Sequence, residues 1–325
     1  MESFSKIEML ESLLENYMFD IDGAIAVVIC DRDGFIIASD SKEKDGTESD
    51  SVIGVISAFL DTYIDRIKRE FQTQSNFFNI TSMQDKKFAY CSMGLHSILT
   101  TIADPTTSDL ELRIYSEYVA GKVELVLEGV ANVSTEIPEI IRVMSKRKEG
   151  KLPKGKFASK LILTGDFQVG KSSIIKRYIE DQFIDDYIAT IGVKISKKSV
   201  ILEEDTIVNF ILWDIGGQIG LIAPYRHRFY EGASSAFIVI DRTRQNALDS
   251  VKKWYKDIEA SVPKNIPIVI VGNKSDLQKD LVINEEEIKI VANELGFHYI
   301  LTSAKTGENV SEAFLYIAFR FIEKA

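Results

Sequence analysis

The stretch "KLILTGDFQVGKSSIIKRYI", residues 160–179, narrows the folds open to this chain more than any other segment. An apolar run of strand length passes directly into the spacing Gly-x4-Gly-Lys-Ser, and a run with helical character follows. That strand–loop–helix context turns a pattern into a phosphate-binding loop within an α/β fold. Backbone N–H groups of Gly165, Asp166, Phe167, Gln168, Val169 and Gly170 are expected to converge on phosphates, and the new helix points its positive end at them. Lys171 can bridge the β- and γ-phosphates. The Ser172 hydroxyl suits Mg²⁺, with Ser173 beside it in the first helical turn.

Four further blocks stand in order behind the loop. In "VNFILWDIGGQ" an apolar strand ends on Asp214, placed to hold Mg²⁺ through water. Gly217 can offer its N–H to a γ-phosphate, and Gln218 can orient an attacking water. In "YIATIGV" the Thr190 hydroxyl can close on Mg²⁺ only when a γ-phosphate is present, which makes its loop a sensor. Phe183 upstream can pack on a base or simply anchor the loop. "NKSD", residues 273–276, follows the strand "IPIVIVG". The Asp276 carboxylate can accept hydrogen bonds from N1–H and the N2 amino group of guanine, whereas adenine presents a bare acceptor there. Asn273 and Lys274 brace the base and nearby loops. "SAK", Ser303, Ala304 and Lys305, follows the strand "HYILT" and completes the pocket with the Ala304 N–H. Asn-Lys-x-Asp or Ser-Ala-Lys alone is weak, but both in order at strand ends are strong evidence.

The chain has 325 residues, room for two ordinary domains, and 45% hydrophobic content with 27% charged residues describes a soluble globular protein. Its net charge of −10 argues against nucleic-acid binding. The three histidines are scattered, so no metal constellation built on them is visible, and Cys30 and Cys91 read as buried thiols, a disulfide being the alternative. Residue 2 is Glu and the chain ends "FRFIEKA", so myristoyl and prenyl motifs are missing from the sequence. A cytoplasmic location is expected, with membrane contact at most peripheral. Character changes near residue 145, where "SKRKEGKLPKGK" reads as a basic hinge. The expected organisation is residues 1–130, a short helix and linker over 131–157, and a second domain over 158–325.

The first domain reads helix, two strands, helix, three strands, helix. Ile7, Leu10, Leu13, Leu14 and Tyr17 mark the leading helix. "AIAVVICDRDGFIIASD" reads as a hairpin turning at Asp31–Gly34, Val52 to Phe71 as a helix, and Ser108 with Glu111 as the cap of the last helix. This order resembles the roadblock family of small α/β domains that pair through sheet edge and helix, over roughly residues 6 to 130. The longin fold is the rival, though it usually begins on a strand. With no convergent polar residues in view, this half reads as a binding module, with homodimerisation as one implied use.

Residues from about 158 to 325 resemble a small GTPase of the Ras superfamily, nearest in pattern to the Rab branch, on all five blocks. The resemblance implies a six-stranded, mostly parallel sheet flanked by helices, GTP or GDP with Mg²⁺ at the strand ends, and switch segments near 183–194 and 214–231. It also implies effector, exchange-factor and activator proteins as partners. "DIGGQ" stands closer to the Arf branch, and "IGVKI" departs from the usual Rab form. Phe167 holds the loop position beside the γ-phosphate and the path of an arginine supplied in trans. It is expected either to crowd that arginine or to point aside. The implied function is a GTP-hydrolysing switch, slow without a partner, and the alternative is a scaffold that keeps GTP bound.

Overall fold

The computed structural model of the chain describes residues 5–31, 33–42, 77–93, 97–130, 133–146, 152–184, 190, 192–203, 206–216, 226–262 and 265–324. The chain divides into two compact units, residues 1–137 with 141–147, and residues 138–140 with 148–325.

The first unit opens with α1 (Lys6–Asp20), started by a full capping box. The Glu8 N–H donates to Ser5 Oγ at 3.3 Å and the Ser5 N–H to Glu8 Oε2 at 2.6 Å. Leu10, Leu13, Leu14, Tyr17 and Met18 are its buried stripe, at helical spacing, while Ile7, expected in that stripe, is 56% exposed in the first turn. Strands β1 (Ala24–Asp31) and β2 (Ile36–Ser41) form the expected hairpin, and Asp31 Oδ1 accepts from the N–H groups of Asp33 and Phe35 to shape its turn. The helix expected over Val52 to Phe71 lies outside the described residues. Then come β3 (Phe78–Ser82), β4 (Lys87–Met93) and β5 (Ser97–Ala103), and the sheet runs β2-β1-β5-β4-β3 with every pairing antiparallel. Helix α2 (Asp109–Glu128) starts at Ser108, whose side chain accepts from the Glu111 N–H as expected, and buries Leu112, Tyr115, Tyr118, Val119, Val123 and Val126. One polar knot ties the layers. The Tyr17 hydroxyl lies 2.7 Å from Thr101 Oγ1 on β5 and 3.0 Å from Ser116 Oγ on α2, wholly buried. Cys30 and Cys91 are both buried and are not joined in a disulfide. The short helix α3 is Glu139–Ser145.

The second unit contains β6 (Gly155–Thr164), α4 (Lys171–Glu180), β7 (Val193–Glu203), β8 (Thr206–Ile215), α5 (Arg226–Tyr230) and β9 (Ser235–Asp241). After them come α6 (Ala247–Ser261), β10 (Ile268–Asn273), α7 (Glu285–Leu295), β11 (His298–Leu301) and α8 (Val310–Lys324). The sheet order is β11-β10-β9-β6-β8-β7, parallel throughout except for the β7–β8 hairpin, so the expected six-stranded, mostly parallel sheet is present. β9 and β10 are buried at every residue, as strands covered on both faces must be. Alternation divides them: Ile238 joins Trp254 and Ile258 of α6 in one core, while Phe237 meets Phe314 of α8 edge-on, rings 5.2 Å apart. From β6 the chain builds outward in both directions, leaving a crevice at the carboxyl ends of the strands, where this fold class binds ligands.

Candidate nucleotide site

The loop between β6 and α4 has a shape that its glycines make possible. Gly165 has φ 143° and Gly170 has φ 99°. A Cβ at the first would overlap the Val239 carbonyl, and one at the second the Asn273 amide. Gly170 also caps α4 without any side-chain hydrogen bond, which leaves the first N–H groups of the helix for a ligand. Lys171 is buried and donates from Nζ to the carbonyls of Gly165 and Asp166, both at 2.8 Å, so the loop closes over its own lysine.

A cavity of about 720 Å³ opens at this loop. Phe167, Gln168, Gly170, Lys171, Ser172, Ser173, Phe183, Thr190, Asp214, Asn273, Lys274, Asp276, Ala304 and Lys305 all line it, which brings residues from each of the five sequence blocks to one place. Gly217 and Gln218 lie outside the described residues. Gly165 and Val169 shape the loop from behind. The Asp166 carboxylate faces α6, accepting from Trp254 Nε1 at 3.0 Å and from the Ser250 hydroxyl, so the backbone is what Asp166 can offer a phosphate.

Three oxygens cluster where a hard cation would sit. Ser172 Oγ lies 2.5 Å from Asp214 Oδ2 and 2.8 Å from Thr190 Oγ1, and Thr190 Oγ1 is 3.3 Å from the same carboxylate oxygen. The other oxygen, Asp214 Oδ1, is buried and has no hydrogen-bond partner among the described residues. A carboxylate oxygen in that state, close to two hydroxyls, fits an oxygen-seeking divalent ion such as Mg²⁺.

The side of the cavity built from the Asn-Lys-x-Asp and Ser-Ala-Lys blocks is braced by Asn273. Its Nδ2 donates to the Val169 carbonyl at 2.9 Å and its Oδ1 accepts from the Ala304 N–H at 3.1 Å, so one amide joins phosphate loop, Asn-Lys-x-Asp block and Ser-Ala-Lys block. The Ser303 hydroxyl donates to Asp276 Oδ1 at 2.6 Å and so aims that carboxylate. Lys274, with φ 68°, does not reach into the cavity alone. Its Nζ pairs with Asp241 Oδ2 at 2.6 Å.

Asp241 was missed by motif reading, as were Arg244, Trp254, Ser250 and Arg177. Asp241 ends the buried strand β9, and a carboxylate closing an apolar run was its only sequence signal. Burial pushes its carboxyl up, but hydrogen bonds from Lys274 and Thr243 outweigh that and hold it below the usual carboxylate range. Arg244 Nε lies 3.2 Å from the same carboxylate and its Nη1 donates to the Phe167 carbonyl at 2.6 Å. Arg177 of α4 donates to the carbonyls of Ala304 at 3.0 Å and Lys305 at 2.6 Å, fastening the Ser-Ala-Lys loop to the helix that follows the Gly-x4-Gly-Lys-Ser turn.

Comparison with known proteins agrees with this geometry. The Ras family model matches residues 160–323. GTP-binding protein YPTM2 of Zea mays is 37% identical over 166 residues, covering 51% of this chain and 81% of the relative. Ras-related protein RABF2b of Arabidopsis thaliana is 37% identical over 164 residues, 50% of this chain and 80% of the relative. GTP-binding protein ypt5 of Schizosaccharomyces pombe is 37% identical over 162 residues, 49% of this chain and 75% of the relative.

Proposed function

Because this chain belongs to the Ras family through the second of its two units, we propose that it is a guanine-nucleotide switch that binds GTP, hydrolyses it to GDP and phosphate, and reports which of the two it holds. The observation that carries this reading is the joining of Asp276, Ser303 and Ala304 to Lys171, Ser172 and Asp214 around one cavity. The Asp276 carboxylate, already aimed by Ser303, selects guanine. Covered by adenine, this half-buried carboxylate would face a lone pair and gain no donor from the base, at a cost of several kcal/mol. Loop N–H groups and Lys171 hold the phosphates, which requires Lys171 to exchange its loop carbonyls for phosphate oxygens. Ser172 and Thr190, with Asp214 behind them, would hold Mg²⁺, which when bound neutralises charge building on the β- and γ-phosphate oxygens. Thr190 and Gly217 sense the γ-phosphate and Gln218 orients water. Effectors, exchange factors and activators read or reset the state.

The first unit, in this reading, is a roadblock-like module for dimerisation, regulation or docking, in a cytoplasmic protein whose contact with membranes is at most peripheral. Its order of helix, two strands, three strands and helix in one antiparallel sheet supports that assignment. A scaffold that keeps GTP bound is the second reading, favoured by Phe167 at the loop tip, where an aromatic ring crowds the approach of an activating arginine. Single-turnover GTP hydrolysis by the full chain, with ATP as control, tests both. Turnover with GTP alone supports the switch, tight GTP binding without turnover supports the scaffold, and equal affinity for ATP overturns both.

A further inference from the structure

We propose that Arg244 is a positioning residue that locks the orientation of the Phe167–Gln168 peptide at the tip of the phosphate loop. The inference rests on the reading of the cavity as a guanine-nucleotide site and names a device within it. Arg244 follows β9 on a turn closed by its own N–H to the Asp241 carbonyl at 3.1 Å. From there one planar guanidinium serves two groups: it forms an ion pair with the buried Asp241 carboxylate, Nε to Oδ2 at 3.2 Å, and donates from Nη1 to the Phe167 carbonyl at 2.6 Å. A lysine, with its single nitrogen, cannot bridge two acceptors in this planar way.

In a trans peptide the C=O and the following N–H point in opposite directions. Holding the Phe167 carbonyl against Arg244 therefore turns the Gln168 N–H the other way, and Phe167, Gln168 and Arg244 all line the nucleotide cavity. Gln168 has φ 65°, a left-handed backbone that a side chain bearing Cβ disfavours, so the tip needs an outside constraint to keep it. The released alternative is a flipped peptide that presents a carbonyl oxygen to phosphate oxygens, which repel it. The same Asp241 carboxylate holds Lys274 of the base-reading block, so the tether joins the loop tip to the segment that reads the base.

The test uses the full chain loaded with GDP, as wild type, Arg244→Ala and Arg244→Lys. Phosphorus NMR of bound GDP and the dissociation rate of a fluorescent GDP are measured, with ADP competition as a readout of base selection. In Arg244→Ala the β-phosphate resonance is expected to move while the α-phosphate resonance stays. GDP is expected to leave on the order of tenfold faster, the loss of one charge-assisted hydrogen bond. Preference for GDP over ADP is expected to hold. Arg244→Lys keeps the charge without the fork and is expected to behave like the alanine variant. It also decides the matter if the alanine variant does not fold. Unchanged resonances and dissociation overturn the inference, as does a loss of base selection in step with affinity, which marks general loosening. A wild type that binds no GDP strikes the proposed function instead.

Discussion

The two units use polar side chains in opposite ways. In the first, the buried hydroxyls of Tyr17, Thr101 and Ser116 satisfy one another and hold α1 and α2 on an antiparallel sheet. In the second, Asp214, Asn273 and Asp241 at strand ends and Lys171 at the start of α4 are buried as well, but their bonds shape a cavity. The difference follows from strand direction. Parallel strands deliver all their carboxyl-end loops to one edge of the sheet, so polar groups there converge. Hairpins alternate direction and scatter their loops to both ends.

The largest effect expected from breaking this contrast is at Asp276. Asp276→Ala should weaken GTP binding on the order of 10²–10³-fold and erase preference over ATP, because under the proposed function it removes the carboxylate that would pair with the base. Equilibrium titration checks this, and the melting profile of the first unit should not change. Next is Trp254→Phe, which takes the indole N–H from the Asp166 carboxylate while keeping most of the packing. A hydrogen bond to a charged group contributes about 1.5–3 kcal/mol, so GDP release should quicken and thermal stability fall together. In the first unit Tyr17→Phe should cost about 1 kcal/mol of stability, read by denaturant unfolding, and leave nucleotide affinity as it was. If affinity falls as well, the two units do not behave independently.

The smallest effect concerns His298 at the start of β11. Burial and then the neighbouring Arg320 hold its imidazole below the ordinary value of 6.5. The unfolded chain therefore takes up this proton first, and its contribution to stability is complete above pH 6.5 and declines as pH falls toward the folded value. Melting temperatures between pH 7 and 5 should decline less steeply in His298→Asn.

Much of the candidate site was legible because it is encoded in contiguous blocks. Gly-x4-Gly-Lys-Ser, Asn-Lys-x-Asp and Ser-Ala-Lys each carry their own strand end and turn, so chemistry and placement are read together. The buried stripe of α1 was legible through its period, although Ile7 was drawn into it by spacing alone. In the first turn of the helix it stays exposed. Asp166 shows where such reading stops. Its backbone N–H was read as facing phosphate, and the motif is silent on its carboxylate, which is bonded by Ser250 and Trp254, more than eighty residues away in sequence.

Local sequence thus indicates which segments are strands, helices and loops, where the Gly-x4-Gly-Lys-Ser turn lies, and which carboxylate stands in the Asn-Lys-x-Asp block, since these depend on periodicity, glycine placement and short fixed spacings. What only the folded chain decides is how the loop is held: that Lys171 closes on its own carbonyls, that Asn273 joins three blocks, and that Arg244 links Phe167 to Asp241 and so to Lys274. Those bonds form between groups brought together by the packing of β6, β9 and β10 side by side. Their geometry belongs to the sheet order, which no local stretch of residues contains.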